Sequence, residues 1–331
     1  MELSACIVVY NGADEALRAA QTVLDCTRRH PLTLYLVDNA SPDGSGQCLA
    51  KAAKDGTLHI RKDQKVEVLC RTENGGFGTG HNTVLSLLQS RVHFILNPDI
   101  QLTADTLSDL ADWMAQHSGV VMARPALTFP DGRPQRLPLR RCSVRAMVYR
   151  QLPCLKFWAK YNERYLMADK DLTKPTEIEF CTGSFSAVDT AVFKAVGGFD
   201  EDYFMYVEDA DLTKKMRTRG KTYLVPQYAA QTGDRPDDVW IQSGAASAVN
   251  DFGAALPCPE RQNGIAVHFI LLSNHTKSKK ERLFRKIFRK SRSETPSISH
   301  LLRPKGPLSE GAGNAAGIDW GSYHAKPHLE K

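Results

Sequence analysis

The sequence predicts an α/β fold: a Rossmann-like, largely parallel sheet with helices on both faces. Three features of the chain lead to it. Short runs rich in Val, Ile and Leu alternate with helical stretches through the first hundred of 331 residues, the order of β-α-β units with right-handed crossovers. The runs are apolar enough to be buried strands. Each then stops at a polar, often Gly-containing end, and parallel sheets bind ligands beyond the carboxyl ends of their strands.

Taken in order, residues 4–9 (SACIVV), 32–37 (LTLYLV), 66–70 (VEVLC) and 93–96 (HFIL) read as strands. Residues 14–26, 46–54 and 80–89 read as the helices between them. Residues 101–118 look helical, with Thr103 as the N-cap. Pro130, Pro134 and Pro138 make residues 129–150 a loop that crosses into a short helix. Order returns with a strand at 178–181 and a helix from Thr190, broken at Gly197-Gly198. A helix over 207–219 ends at Gly220, and a short strand over 222–225 precedes Pro226. Beyond Gln231 the periodicity fades, and from residue 291 the composition is that of disordered chain.

Composition narrows the function classes. A hydrophobic content of 42% and a charged content of 24% suit a soluble globular protein, and no run reaches 18 apolar residues. The opening Met-Glu-Leu-Ser lacks the basic segment of a signal peptide. Eight cysteines are scattered with no CxxC pair, which excludes a zinc ribbon and reads as reduced thiols in a cytoplasmic protein. The net charge of +6 comes from residues 277–292 (KSKKERLFRKIFRKSR), which carry +8 and leave −2 on the rest, so no nucleic-acid partner is expected. In that segment Leu283, Phe284, Ile287 and Phe288 recur at helical spacing among the basic residues. That is the pattern of a helix lying on an anionic membrane, or of a solvated basic extension.

Four strand ends carry chemistry. Asp38 begins DNASPDG, where a carboxylate can accept the N3–H of uracil or thymine, or simply form a turn. Residues 74–82 (NGGFGTGHN) suit a phosphate-cradling turn into a helix, or a flexible loop; they are neither GxGxxG nor a Walker loop. Asn97-Pro98-Asp99 places a hard oxygen ligand where Mg²⁺ or Mn²⁺ can bridge to a pyrophosphate, or makes an Asx turn. Glu208, Asp209 and Asp211 complement a helix N-terminus, or include a general base whose pKa its neighbours raise.

Seven pieces occur in order over residues 3–226: VVYNG (8–12), VDNASPDG (37–44), RTENGGFGTGHN (71–82), FILNPDI (94–100), CTGSF (181–185), GGFDEDYFMYVEDADL (197–212) and YLVP (223–226). Together they resemble the inverting glycosyltransferases of family 2, and most nearly the bacterial rhamnosyltransferase-like enzymes of cell-surface polysaccharide assembly. The resemblance implies the glycosyltransferase A-type fold. It implies a nucleotide-sugar donor half over 1–100, an acceptor and catalytic half of the same domain over 101–230, and a divergent tail over 231–331. It also implies inverting transfer of a hexose, rhamnose among them, from a UDP- or dTDP-sugar to a glycan or lipid-linked glycan hydroxyl. Mg²⁺ or Mn²⁺ would assist, in the cytoplasm or at the inner face of the plasma membrane.

Carried to this chain, Tyr10, Asn11, Asp38 and Asn39 would hold the donor's base and ribose, and Asn74, Gly76, Phe77 and Asn82 the turn beside its diphosphate. Asp99, with Asn97, would bind the metal. Asp209 would deprotonate the acceptor, with Asp211 and Glu208 as the competing acids. The family's usual His beyond the last strand is missing, since residues 227–232 read QYAAQT. Divergence, a substitute such as His268, or a reading-frame change near Gln231 would each account for it, the last giving a truncated, non-catalytic nucleotide-sugar-binding protein. A Rossmann-type oxidoreductase is disfavoured, because no GxGxxG follows the first strand.

Overall fold

The strand ends meet on one edge because the sheet's central strands share a register. The computed structural model describes residues 1–135, 137, 139–140, 163–205 and 207–232. They belong to one unit, Met1–Glu281; a second, Arg282–Lys331, lies outside the described residues. So do the basic segment 277–292, His268, most of the loop and short helix expected over 129–150, and the tail from residue 233.

Eight strands form one sheet: β1 (Leu3–Val9), β2 (Leu32–Asp38), β3 (Gln64–Cys70), β4 (Val92–Leu96), β5 (Val120–Thr128), β6 (Thr176–Glu177), β7 (Phe185–Asp189) and β8 (Lys221–Gln231). Their spatial order is β3-β2-β1-β4-β7-β5-β8-β6. β3, β2, β1 and β4 pair in parallel, each with the next, so Val9 lies opposite Asp38 and Asp38 opposite Cys70. β7 runs antiparallel to both β4 and β5, and β6 antiparallel to β8, while β5 and β8 are parallel. Six strands therefore share one direction: the sheet is mixed but largely parallel.

Side chains alternate across a strand with period two, and β1 shows how this builds two cores. Leu3, Ala5, Ile7 and Val9 join one cluster and Cys6 and Val8 the other. Helices α1 (Ala13–Cys26), α2 (Ser45–Ala52) and α4 (Thr106–Gln116) cover the first face through Ala16, Ala20, Val23, Leu49, Leu107 and Leu110. Helices α5 (Thr190–Ala195) and α6 (Glu208–Arg217) cover the second through Phe193, Leu212 and Met216. Short α3 (Phe77–Asn82) lies on that same side, followed by Val84 and Leu88 in the cluster.

Several expectations need correction. The helix expected over 80–89 is α3, which begins inside the glycine-rich segment, because Gly76 (φ 89°) turns the chain ahead of Phe77. α4 starts at Thr106, not near Thr103, because the Asp105 side chain accepts the Ser108 N–H and caps the helix. No strand forms over 178–181. There Cys181 N–H bonds the Thr213 hydroxyl (3.2 Å), and the ladder begins at Phe185 instead. β5 was not expected at all. β8 continues past Pro226 to Gln231 by an irregularity in its pairing with β5, opposite Pro125 and Ala126, a place where a sheet can hold proline.

Candidate active site

The first strand end supplies a bent backbone. Asn11 (φ 63°) and Gly12 (φ 78°) both lie in the left-handed region, and their N–H groups donate to Ser41 Oγ (2.9 Å) and Asp43 Oδ2 (3.0 Å). The loops after β1 and β2 are thereby tied together. Tyr10 projects outward, 51% exposed, a free aromatic face beside them. Asp38, by contrast, is buried. Its carboxylate accepts the Ser41 N–H at 3.3 Å, the turn-forming bond expected of it. The start of α2 presses on the same carboxylate: a Cβ at Gly46 would stand 2.7 Å from Asp38 Oδ2 and 3.1 Å from Cys70 Sγ.

The glycine-rich turn is held from two sides. Asn39, buried, donates through Nδ2 to Asn74 Oδ1 (2.7 Å) and to the Gly76 carbonyl (3.1 Å). Asn74 Oδ1 also accepts the Gly76 N–H (3.0 Å). On the other side the Phe204 carbonyl accepts the Phe77 N–H at 3.2 Å, and a Cβ at Gly76 would come within 1.9 Å of that same oxygen. No residue with a side chain fits there. Asn82, at the far end of α3, bonds the loop around Phe199 (Nδ2 to Phe199 O, 3.0 Å).

The acidic end assembles from three remote segments. Asn97 and Asp99 follow β4, both buried. Asn97 N–H donates to the Ser184 carbonyl (2.9 Å), and the adjacent Gly183 N–H donates to Asp209 Oδ2 (3.2 Å). Phe77 closes on the same spot, its Cε1 3.0 Å from where a Gly183 Cβ would be. The Thr213 hydroxyl accepts the Cys181 N–H and donates to the Asp209 carbonyl (2.8 Å), fixing α6 against this segment. Residues 181–184 thus join the expected metal site to the expected base. The CTGSF segment shows no such role in sequence, because nothing in a local pattern reports a contact across more than eighty residues, as between Asn97 and Ser184.

Electrostatics separate the three acids. Asp211 is buried against Lys215, whose Nζ stands 3.7 Å from its carboxylate. Burial pushes the Glu208 carboxyl well above the usual range, and the charge of Asp209 raises it further. Burial also raises Asp209, against the lowering effect of the Gly183 and Ala210 N–H groups. The residue before them, Val207, has φ 72°, a left-handed backbone that is costly for a β-branched side chain and that is met chiefly at functional sites. The sequence carried no signal of it.

The donor set suits a hard cation. Among the described residues no three His, Cys, Asp or Glu side chains gather as a metal cage. A Mg²⁺ or Mn²⁺ site needs none, since such ions take one or two carboxylates and complete their shell with substrate phosphates and water. Asp99, buried just after β4 and two residues beyond Asn97, is a donor of that kind.

The family model described as "Glycosyl transferase family 2" matches residues 4–197. An N-acetylglucosaminyl-diphospho-decaprenol L-rhamnosyltransferase of Mycobacterium tuberculosis is 26% identical over 215 residues, covering 60% of this chain and 64% of that protein. Rhamnosyltransferase WbbL of Escherichia coli (strain K12) is 26% identical over 206 residues, covering 59% and 76%. The chain thus spans just under two thirds of the mycobacterial relative. Among solved structures, mannosyltransferase PcManGT from Pyrobaculum calidifontis in complex with GDP-Man and Mn²⁺ is similar at a TM-score of 0.51 and 17% identity, covering 91% of this chain and 77% of that one. At that identity the likeness speaks to the fold, which is the glycosyltransferase A-type.

Proposed function

The chain belongs to glycosyltransferase family 2, and from that premise we propose that it transfers a hexose, with rhamnose the leading candidate, from a UDP- or dTDP-sugar to a hydroxyl of a lipid-linked glycan. The names of the two relatives support the sugar, and the decaprenol-linked substrate in the mycobacterial name supports the acceptor. One observation carries the mechanism. Two hydrogen bonds, from the Gly183 N–H to the Asp209 carboxylate and from the Asn97 N–H to the Ser184 carbonyl, link Asp209 to the β4 end that holds Asn97 and Asp99.

In this reading Asp38 accepts the N3–H of the pyrimidine and Tyr10 flanks the ring. The backbone at Asn11 shapes the ribose pocket, and Asn39, Asn74 and Gly76 hold the turn beside the diphosphate, with Phe77 packed under the acceptor side. Asp99, with Asn97, holds the divalent ion, which when bound offsets charge on the departing nucleoside diphosphate. Asp209 takes the proton from the acceptor hydroxyl as its oxygen attacks the anomeric carbon from the face opposite the leaving group, which inverts the configuration. Its raised pKa suits it, because a base works best when its pKa lies near the working pH. Asp211 suits the role less, since its carboxylate is paired with the Lys215 ammonium, 3.7 Å away. Glu208, kept neutral by burial, limits the negative charge around Asp209.

The test is a screen of purified protein against UDP- and dTDP-sugars with Mn²⁺ and a polyprenyl-diphosphate sugar acceptor, reading released nucleoside diphosphate and the anomeric configuration of the product. Release from a dTDP- or UDP-hexose, acceptor-dependent and lost in Asp99→Ala, is expected. Tight nucleotide binding without transfer from any donor would overturn the proposal.

A further inference from the structure

The loop between Gly198 and Val207 is assigned no catalytic group, yet it leads directly into the acids of α6 and is hydrogen-bonded to both ends of α3. Its first part is moulded onto Asn82. That side chain donates through Nδ2 to both the Phe199 carbonyl (3.0 Å) and Glu201 Oε1 (2.9 Å), and its Oδ1 accepts the Phe199 N–H (2.9 Å). The fit leaves no slack: Gly198 lies at φ +64°, and a Cβ there would stand 2.4 Å from Asn82 Oδ1. Further on, the Phe204 carbonyl is held by the Phe77 N–H at the other end of α3. Only three residues then separate Phe204 from Glu208, and the last of them has the left-handed backbone of Val207.

A primary amide has two N–H donors, and in Asn82 both are engaged with the loop. The side chain therefore has no donor left for a diphosphate oxygen. We propose that Asn82, with Glu201, is a positioning residue for the general base rather than a donor contact. Through the loop, α3 sets where the first turn of α6, and with it the Asp209 carboxylate, stands relative to the acceptor. The inference rests on the transferase reading above for its kinetic consequence, and on geometry alone for its structural one. Small displacements of a catalytic group are costly, on the order of 10²-fold for about 1 Å.

The experiment compares wild type with Asn82→Ala and with Glu201→Ala, whose side chain is exposed and whose removal leaves the cores intact. At saturating donor, kcat should fall about 10–100-fold in Asn82→Ala and several-fold in Glu201→Ala. The Kd for UDP or dTDP with Mn²⁺ should stay within about threefold, since donor affinity is not what the contact provides. Amide hydrogen exchange over residues 199–205 should quicken in both variants, a readout that needs no turnover. A Kd raised tenfold with kcat preserved would make Asn82 a donor contact and overturn the inference. So would unchanged exchange in the loop. If wild type binds nucleotide and transfers nothing, the transferase reading fails, while the exchange and Kd measurements still decide whether Asn82 holds the loop.

Discussion

Asp209 and Glu208 are adjacent in sequence and differ in what their burial is for. Asp209 receives two backbone N–H bonds and keeps its place at the junction of three segments. Asp209→Asn preserves that shape and removes the basicity, so turnover should fall about 10²–10⁴-fold while nucleotide affinity holds within a few-fold; steady-state kinetics and a binding titration check both halves. Glu208 has a buried Oε2 with no hydrogen-bond partner, and its pKa is raised from an ordinary 4.5. The folded state therefore favours the protonated acid. Its contribution to stability is complete below pH 4.5 and is lost as pH rises through the raised value. Glu208→Gln should accordingly raise the melting temperature at pH 8 more than at pH 5. Equal shifts at both would mean the charge is not the cost. Much of the residue scale was legible beforehand. Asp38, Asn74, Asp99 and Asp209 all lie at the strand-end edge or beside it, because a strand's end and a polar tripeptide after it are local facts. Val207, Gly183 and the pairing of Asn82 with Phe199 were not, because each depends on chain that arrives from far away.

At the scale of the element, α3 is the piece where local reading and tertiary structure diverge most. Six residues, two of them glycines, make a poor helix on propensity, and the expected helix lay further along. What holds α3 is packing: Gly78 lies against Phe199, and His81 sits wholly buried among Phe77 (4.4 Å between ring centres) and Phe199 (5.7 Å). Gly76→Ala should therefore damage more than a loop substitution would. Its Cβ meets the Phe204 carbonyl, and the positive φ adds about 1–3 kcal/mol of strain. Melting temperature and nucleotide affinity should drop together, and loss of neither would place the turn elsewhere. The imidazole of His81, with both ring nitrogens buried and unpartnered, is pushed well down by burial, as is His93, to about 3. Depressed histidines stabilise the fold above their ordinary value of 6.5, and that stability is lost as pH falls below it. His81→Leu should flatten the decline in melting temperature between pH 6.5 and pH 4.5; an unchanged slope would shift the acid sensitivity to other groups. Among strands, β1 to β4 were readable because they are apolar runs between turn signals. β5 (VVMARPALT) has Arg124 and Pro125 at its centre, and β7 begins just after a Thr-Gly-Ser turn, so neither resembles a strand until its neighbours are in place.

The whole chain divides into a part with a described fold and a tail known from its sequence. Among the described residues no helix is long and apolar enough to cross a membrane, and the expectation of membrane contact rests on residues 277–292 alone. The full chain should sediment with anionic liposomes at low salt and a chain truncated after Asn274 should not, since each basic residue near such a surface contributes about 1 kcal/mol. Equal behaviour of the two would remove that expectation and leave the strand-end site untouched. Within the described fold, the position of β7 has a consequence for how the protein is made. β7 lies between β4 and β5, although it follows both in the chain. As the polypeptide leaves the ribosome, the open edge of β4 must wait for about ninety further residues before its partner emerges, several seconds or more at a synthesis rate of about 5–20 residues per second. During that interval an apolar strand edge is bare, β5 has nothing to dock on, and the nascent chain is a natural client for a chaperone.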